Sequence, residues 1–76
     1  MEARLTGIYL RDVLVDAKYK PIKIREIPKA LKKYGVDVDV TTIQRYINAM
    51  KKGMLGYTLK CKREDRVDRY WLEKDR

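Results

Sequence analysis

Near residue 57 the repeat of apolar residues changes from about 3.6 residues to about 2 residues, and this change constrains the fold more than any other feature of the sequence. Before that point apolar residues recur at helical spacing, while after it they alternate as they do in half-buried strands. A chain of 76 residues makes one domain with a modest core. The pattern therefore predicts an α+β domain covering residues 1–76, in which helices come first and a β-hairpin follows.

Two helices are predicted in the first half of the chain. Residues 4–18 carry a broad apolar face that includes Leu5, and they stop before Pro21, because the residue before a proline is pushed out of helical geometry. Residues 25–34 carry a single apolar stripe. Pro28 must lie in the first turn of this second helix, since a later proline would break it. Gly35 is the expected C-terminal cap.

A third helix is predicted over residues 42–52. Thr41 is its expected N-cap, and Gln44 would complete a capping box by bonding back to the Thr41 amide. The preceding residues 36–40 alternate like a strand, but a turn is the better prediction for five residues between two helices. Residues 22–24 are expected to be extended.

Strands are predicted at residues 57–62 and 67–72, joined by a polar turn at 63–66. Cys61 alternates onto the same face as Leu59, so we expect it to be a small buried residue. Of the neighbours Tyr70 and Trp71, one is expected in the core, and the other would stack on a base or lie at an interface.

The basic charge of the chain is concentrated in two segments. There are 19 Lys and Arg against 11 Asp and Glu, a net charge of +8. Residues 17–34 hold seven bases and one acid, residues 41–66 hold seven bases and two acids, and residues 1–16 are close to neutral. Solubility alone would explain a charge of this size. Its regional distribution favours a polyanionic partner.

Several functional classes conflict with the composition. The chain has no His, no Ser and a single Cys, which excludes Ser-His and Cys-His nucleophiles and a structural zinc site. We therefore expect no enzyme, no catalytic or metal-binding residue, no cofactor and no small-molecule substrate. The absence of long apolar stretches and of a signal sequence predicts a cytoplasmic protein without a membrane partner. The scarcity of amides beside many Lys, Arg and Glu is typical of thermophiles.

Three segments together resemble the winged helix-turn-helix family of DNA-binding domains. They are Ile24-Arg25-Glu26-Ile27-Pro28-Lys29-Ala30-Leu31, Val40-Thr41-Thr42-Ile43-Gln44-Arg45-Tyr46-Ile47 and Lys52-Gly53-Met54-Leu55-Gly56-Tyr57. The resemblance covers residues 5–73. It implies three helices and a C-terminal hairpin wing, with the third helix in the major groove of double-stranded DNA and the wing on flanking backbone. A transcriptional regulator is the function that it implies.

The candidate DNA-binding residues lie on the third helix and on the hairpin. On the helix they are the residues left outside the apolar stripe: Thr41, Thr42, Gln44, Arg45, Asn48, Lys51 and Lys52. Asn and Gln side chains can bond adenine, and Arg can bond guanine. Thr41 and Thr42, with the free amides of the helix N-terminus, are expected to hold a phosphate. On the hairpin they are the bases near the tip: Lys60, Lys62, Arg63 and Arg66. Basic side chains of this kind contact phosphate or the minor groove.

Each candidate also has a purely structural interpretation. Thr41 and Gln44 would serve only as helix caps, Asn48 would simply be solvated, and the hairpin bases would keep an edge strand from aggregating. Lys29, Lys32 and Lys33 lie near a helix C-terminus, where cations already stabilise the helix dipole.

Two alternatives to specific DNA binding stay open on the sequence. One is a winged-helix module that binds proteins, and the other is an RNA-binding or nucleoid protein that contacts only phosphate. A homodimer through residues 4–18 would explain the breadth of their apolar face. A contact with two elements of the core explains it equally well.

Overall fold

The computed structural model describes residues 3–75, with side chains from Thr6 onward, so the expected burial of Leu5 lies outside the described side chains. The helices are α1 (Ala3–Asp16), α2 (Ile27–Lys32) and α3 (Val40–Lys51), and a 3-10 turn (Ile24–Glu26) leads into α2. The strands are β1 (Ile22–Lys23), β2 (Tyr57–Glu64) and β3 (Val67–Lys74). Over these residues the fold is α+β, with three α-helices and an antiparallel sheet of order β1-β3-β2.

The broad apolar face of α1 is divided between two neighbours. Leu10 and Leu14 are fully buried, and the helix packs against both α2 and β3. A core contact on two sides is therefore sufficient to explain the breadth of this face. The helix ends at Asp16, two residues earlier than predicted, and the Lys18 amide donates to the Val15 carbonyl in a tighter i+3 turn.

The second helix is shorter than predicted at both ends. Pro28 does lie in its first turn, and a 3-10 turn replaces the α-helical geometry expected before it. The helix ends in a Schellman motif, in which the Val36 amide donates to the Leu31 carbonyl at 3.1 Å and the Gly35 amide to the Lys32 carbonyl at 3.0 Å. Gly35 has φ +78°, which confirms it as the terminating residue and explains why glycine is needed there.

The third helix begins at Val40, and its N-cap is Asp39. The Asp39 carboxylate accepts a 2.8 Å hydrogen bond from the Thr42 amide. The predicted capping box of Thr41 and Gln44 was therefore wrong. A charged carboxylate accepts a hydrogen bond more strongly than a hydroxyl and also interacts favourably with the helix dipole. These two effects favour Asp39 over Thr41 as the N-cap. Residues 36–39 form no strand, and they connect the two helices without regular secondary structure.

The hairpin is longer and its turn is tighter than predicted. The ladder runs from Tyr57 opposite Lys74 to Glu64 opposite Val67, which leaves only Asp65 and Arg66 in the turn. Their φ angles are +51° and +66°, the left-handed pair typical of two-residue hairpin turns. The expected four-residue turn at 63–66 was wrong, because its first two residues continue the ladder.

Of the extended piece predicted at residues 22–24, Ile22 and Lys23 form a strand that pairs with the hairpin, whereas Ile24 begins the 3-10 turn. The sequence did not indicate this pairing. Ile22 lies opposite Tyr70 and Lys23 opposite Arg69, so β3 is the central strand of the sheet. This pairing joins the chain between the first two helices to the hairpin.

The core lies between the three helices and the inner half of the sheet. Its fully buried large side chains are Leu10, Leu14, Ile27, Leu31, Val36, Ile43, Ile47 and Leu72. Tyr70 is buried and Trp71 half-buried, which confirms that one of the two lies in the core. No helix within residues 3–75 is long and apolar enough to span a bilayer.

Cys61 is exposed, so its predicted burial was wrong. The alternating pattern continues through this part of β2, but every residue from 60 to 66 is exposed because the hairpin extends past the helices. We call residues 60–66 the hairpin tip.

Candidate nucleic-acid interface

The outer surface of α3 is defined by what the helix buries. Ile43, Ile47 and Met50 point into the core, and the helical period then places the intervening polar residues outside. We call this outer set the α3 face: Thr41, Arg45, Asn48 and Lys52 are exposed, and Thr42 and Gln44 are half-buried. The structure therefore brings six of the predicted site residues onto one helix surface.

Gln44 and Asn48 are bonded to each other. The Gln44 Nε2 donates to the Asn48 Oδ1 at 2.9 Å, one helical turn away. Gln44 thus has a partner other than the Thr41 amide that a capping box would require. This bond leaves the second lone pair of the Asn48 oxygen and both of its amide hydrogens available to a ligand.

The N-terminus of α3 is already occupied by a carboxylate. Because the Thr42 amide donates to Asp39, it is not available to a phosphate in this conformation. The same hydrogen bond holds the pKa of Asp39 below its usual value, and Arg45 contributes a weaker attraction in the same direction. The phosphate contact expected at Thr42 therefore competes with the cap, and Thr41 contributes only an exposed hydroxyl.

Lys51 points toward the sheet and away from the α3 face. Its Nζ lies 5.8 Å from the centre of the Tyr70 ring, within the range of a cation–π contact. Tyr70 pairs with Cys61 in the hairpin register. Lys51 therefore connects the last turn of α3 to Tyr70 of β3, which lies opposite the first residues of the hairpin tip.

The hairpin tip is basic, but its four bases are not equivalent. The Lys62 Nζ lies 3.0 Å from a Glu64 carboxylate oxygen, and the Arg63 guanidinium lies 3.8 Å from Asp68. The bond from Lys62 also lowers the pKa of Glu64. Within residues 3–75, Lys60 and Arg66 have no carboxylate partner. Of the four bases of the tip, these two are the ones without a salt bridge in the described residues.

The turn at the tip has an unusual backbone for its sequence. Asp tolerates the left-handed region, but Arg66 at φ +66° has a conformation that costs an L-residue about 1 kcal/mol. The usual residue there is glycine. The sequence thus keeps a long basic side chain at a position where it destabilises the turn.

Arg69 has a structural role that no sequence pattern indicated. Its Nη1 donates to the Pro21 carbonyl at 3.2 Å, which ties β3 to the chain entering β1. It also lines a cleft of about 380 Å³ together with Asp16, Lys20 and Lys33. Because its bonding partner is 48 residues away, local spacing could not reveal this contact.

A second, more apolar groove of about 340 Å³ lies between α1 and the end of α3. Its lining includes Ile8, Met50 and Met54. Leu55 follows Met54 in the turn that leads into β2, and its side chain is fully exposed. Any surface on α1 that serves self-association would have to include Ile8, the exposed large apolar side chain in the described part of that helix.

Lys29 and Lys32 lie in the last turn of α2, as the helix-dipole interpretation requires, and both are exposed.

Comparison with protein-family models, with curated proteins and with solved structures gave no match for this chain.

Proposed function

We propose that this chain is a winged helix-turn-helix domain that binds double-stranded DNA and regulates transcription without catalysis or a cofactor. In this proposal α3 enters the major groove and the hairpin tip contacts the flanking backbone. The observation that carries the proposal is the composition of the α3 face. A helix that is anchored by Ile43 and Ile47 exposes Arg45 and Asn48, which suit hydrogen bonding to base edges.

The roles of the remaining residues follow from charge and reach. Lys52 and Thr41 lie at opposite ends of the α3 face and would contact phosphates on either side of the groove. Lys60 and Arg66 would contact flanking phosphates, because their charges are not neutralised within the tip. Lys62 and Arg63 would have to exchange their carboxylate partners for phosphate, so we expect weaker contributions from them.

The contrast with phosphate-only binding rests on the two carboxamides of the chain. Gln44 and Asn48 are its only Gln and Asn, and both lie on the α3 face. Asn and Gln side chains also bond phosphate, but unlike Lys they can match the adjacent donor and acceptor of a base edge. This placement favours base readout over a nucleoid-type or RNA-binding role.

Titration of duplex affinity with salt tests the proposal. We expect the affinity of the protein for a labelled DNA duplex to fall with a log–log slope of roughly −5, as six phosphate contacts predict. Fluorescence anisotropy between 50 and 400 mM salt would measure it, with a single-stranded RNA of equal length as the comparison. Absence of duplex binding at low salt would exclude the proposal and favour a protein-binding module.

Base readout has a separate test. Replacing Arg45 and Asn48 by Ala should abolish the preference for one duplex over another, while most of the affinity for unrelated duplexes is retained. Equal weakening on every sequence would instead identify a phosphate-only binder.

A homodimer would show in the target site itself. If two copies bind together, the sequences selected from a random duplex pool should be palindromic, with half-sites about one helical turn apart. Replacing Ile8 by Lys should then separate the copies, which sedimentation would measure.

A further inference from the structure

We propose that Gln44 is a positioning residue that orients the Asn48 amide so that this side chain selects adenine in the major groove. This inference rests on the proposed DNA-binding function and extends it to the identity of one base. It is carried by the hydrogen bond from the Gln44 Nε2 to the Asn48 Oδ1 at 2.9 Å.

The bond matters because an asparagine amide has two orientations that differ by half a turn. In one the oxygen faces Gln44, and in the other the Nδ2 group does. In the structure the Gln44 Nε2 is the group directed at Asn48, so turning the Asn48 amide alone would bring two donors together. In this pair the acceptor edge of the Asn48 amide faces Gln44, and the bond holds it there while Gln44 presents its Nε2.

An amide fixed in this way matches adenine better than the other bases. Its Nδ2 hydrogen can be donated to adenine N7, while the second lone pair of Oδ1 accepts from the adenine N6 amine. Guanine presents two acceptors at the same edge, N7 and O6, so its O6 would face the Asn48 oxygen. Thymine offers an acceptor beside a methyl group, and cytosine offers only a donor.

The support beneath the pair makes this orientation useful. Asn48 is exposed, and Gln44 is half-buried beside the core side of the helix, where Ile43 and Ile47 are fully buried. The geometry of α3 sets the one-turn spacing of the two residues, and the buried side chains hold the helix against the core. Part of the entropy cost of ordering Asn48 is met before binding by its bond to Gln44.

Selection from a random duplex pool is the first test, with the full chain and its Asn48→Ala and Gln44→Met variants. Met has a similar shape and helix propensity to Gln but cannot donate to Asn48. We expect one adenine position in the consensus of the unmodified protein, loss of enrichment at that position with Asn48→Ala, and weaker enrichment with Gln44→Met. Full adenine enrichment in the Gln44→Met selection would overturn the positioning role.

Base analogues in the selected duplex test the two hydrogen bonds one at a time. Replacing the adenine by 7-deazaadenine removes the N7 acceptor, and replacing it by purine removes the N6 donor. Each change should lower the affinity of the unmodified protein by about fivefold to tenfold and that of Asn48→Ala much less. A protein insensitive to both analogues would not be reading this base through Asn48, and the inference would fail.

Lys52→Met provides a matched control on the same helix. It should weaken binding to all duplexes and leave the ratio of affinities for adenine and guanine duplexes the same, whereas Gln44→Met should lower that ratio several-fold. Thermal unfolding would confirm that each variant folds. If no duplex binds, the proposed function fails; if duplexes bind without an adenine preference, only this inference fails.

Discussion

The α3 face and the hairpin tip are both basic surfaces, but they are supported in different ways. Beneath the α3 face lie Ile43 and Ile47, both fully buried, so its side chains project from a fixed helix. The hairpin tip has no buried residue, and its shape depends on the β2–β3 ladder and a turn with two positive φ angles. The first surface is therefore supported by the core, whereas the second is supported only by its own ladder and turn.

Hydrogen bonds to base edges and ionic contacts with phosphate differ in how much displacement they tolerate, and the two surfaces differ in the same sense. A hydrogen bond to a base edge is lost when donor and acceptor move apart by a fraction of an ångström or tilt. Attraction between a lysine and a phosphate falls more slowly with distance. In the proposed function, base readout would therefore lie over the buried residues, and phosphate contacts would lie on the projecting hairpin.

Removing core volume beneath α3 should give the largest effect. Ile47→Ala is expected to lower the free energy of unfolding by about 3 kcal/mol, because the side chain is fully buried and leaves a cavity. This is a large share of the stability of so small a domain. Denaturant titration would measure it.

Leu59→Ala is the matched control for that substitution. Leu59 is half-buried on the hairpin, so we expect a clearly smaller loss of stability, about 1 kcal/mol. Equal losses for Ile47 and Leu59 would show that the hairpin is as firmly supported as α3 and would remove the basis of the comparison.

Neutralising the free bases of the tip should give the next largest effect. The double variant Lys60→Gln, Arg66→Gln should reduce the salt slope by about 2 and the duplex affinity roughly 60-fold at 0.1 M salt. The free energy of unfolding should change little, since neither side chain has a carboxylate partner in the described chain. Anisotropy at several salt concentrations would measure the slope.

The control for the tip uses its paired bases. Lys62→Gln and Arg63→Gln together remove the same charge but also release Glu64 and Asp68. We expect a smaller loss of affinity from this pair. A loss as large as that of Lys60 and Arg66 would mean that all four bases contact phosphate alike.

The elements of this fold were predictable where a local pattern determines them. The stripe of α3, the stop at Gly35 and the hairpin each depend on residues within one turn or one ladder step of each other. The Asp39 cap was missed because Thr41, two residues later, also fits the capping pattern, and only backbone geometry shows which of the two precedes the helix. The tight turn at Asp65 was missed because Arg66 is an unusual residue at positive φ.

Features that depend on distant contacts could not be predicted. The pairing of Ile22 with Tyr70 and the bond from Arg69 to Pro21 join residues 48 apart in the chain. The exposure of Cys61 depends on how far the helices extend over the sheet, which alternation cannot reveal. In the candidate site, spacing placed Gln44 and Asn48 on one surface, but the direction of their hydrogen bond and the contact of Lys51 with Tyr70 required the structure.

Relieving the strained turn should separate stability from binding at the tip. Arg66→Gly places at φ +66° a residue that adopts this angle freely, so we expect a gain of about 0.5–1 kcal/mol in the free energy of unfolding. The same variant should lose about one unit of salt slope. Arg66→Lys keeps the charge and the strain, and both quantities should stay near those of the unmodified protein. If Arg66→Gly lowered the free energy of unfolding, the conclusion that Arg66 strains the turn would be wrong.

The smallest effect is expected at the cap that holds the start of the α3 face. The bond from the Thr42 amide lowers the pKa of Asp39 in the folded protein below its usual value of 3.8. The stabilising effect is therefore present above about pH 4 and is lost as the pH falls through the folded pKa. Asp39→Asn keeps an N-cap acceptor but cannot titrate, so its stability near pH 7 should fall only slightly and its decline below pH 4 should be shallower.

Thermal unfolding from pH 7 to pH 3 would measure the Asp39 effect, and Thr41→Val serves as the control because Thr41 does not cap the helix. Some acid sensitivity should persist in Asp39→Asn, since the pKa of Glu64 is also lowered, by its bond from Lys62 at the tip. The substitution Glu64→Gln removes that second contribution, so the loss of stability between pH 4 and pH 3 should become smaller still. If Glu64→Gln has the larger effect of the two, acid stability depends more on the tip than on α3.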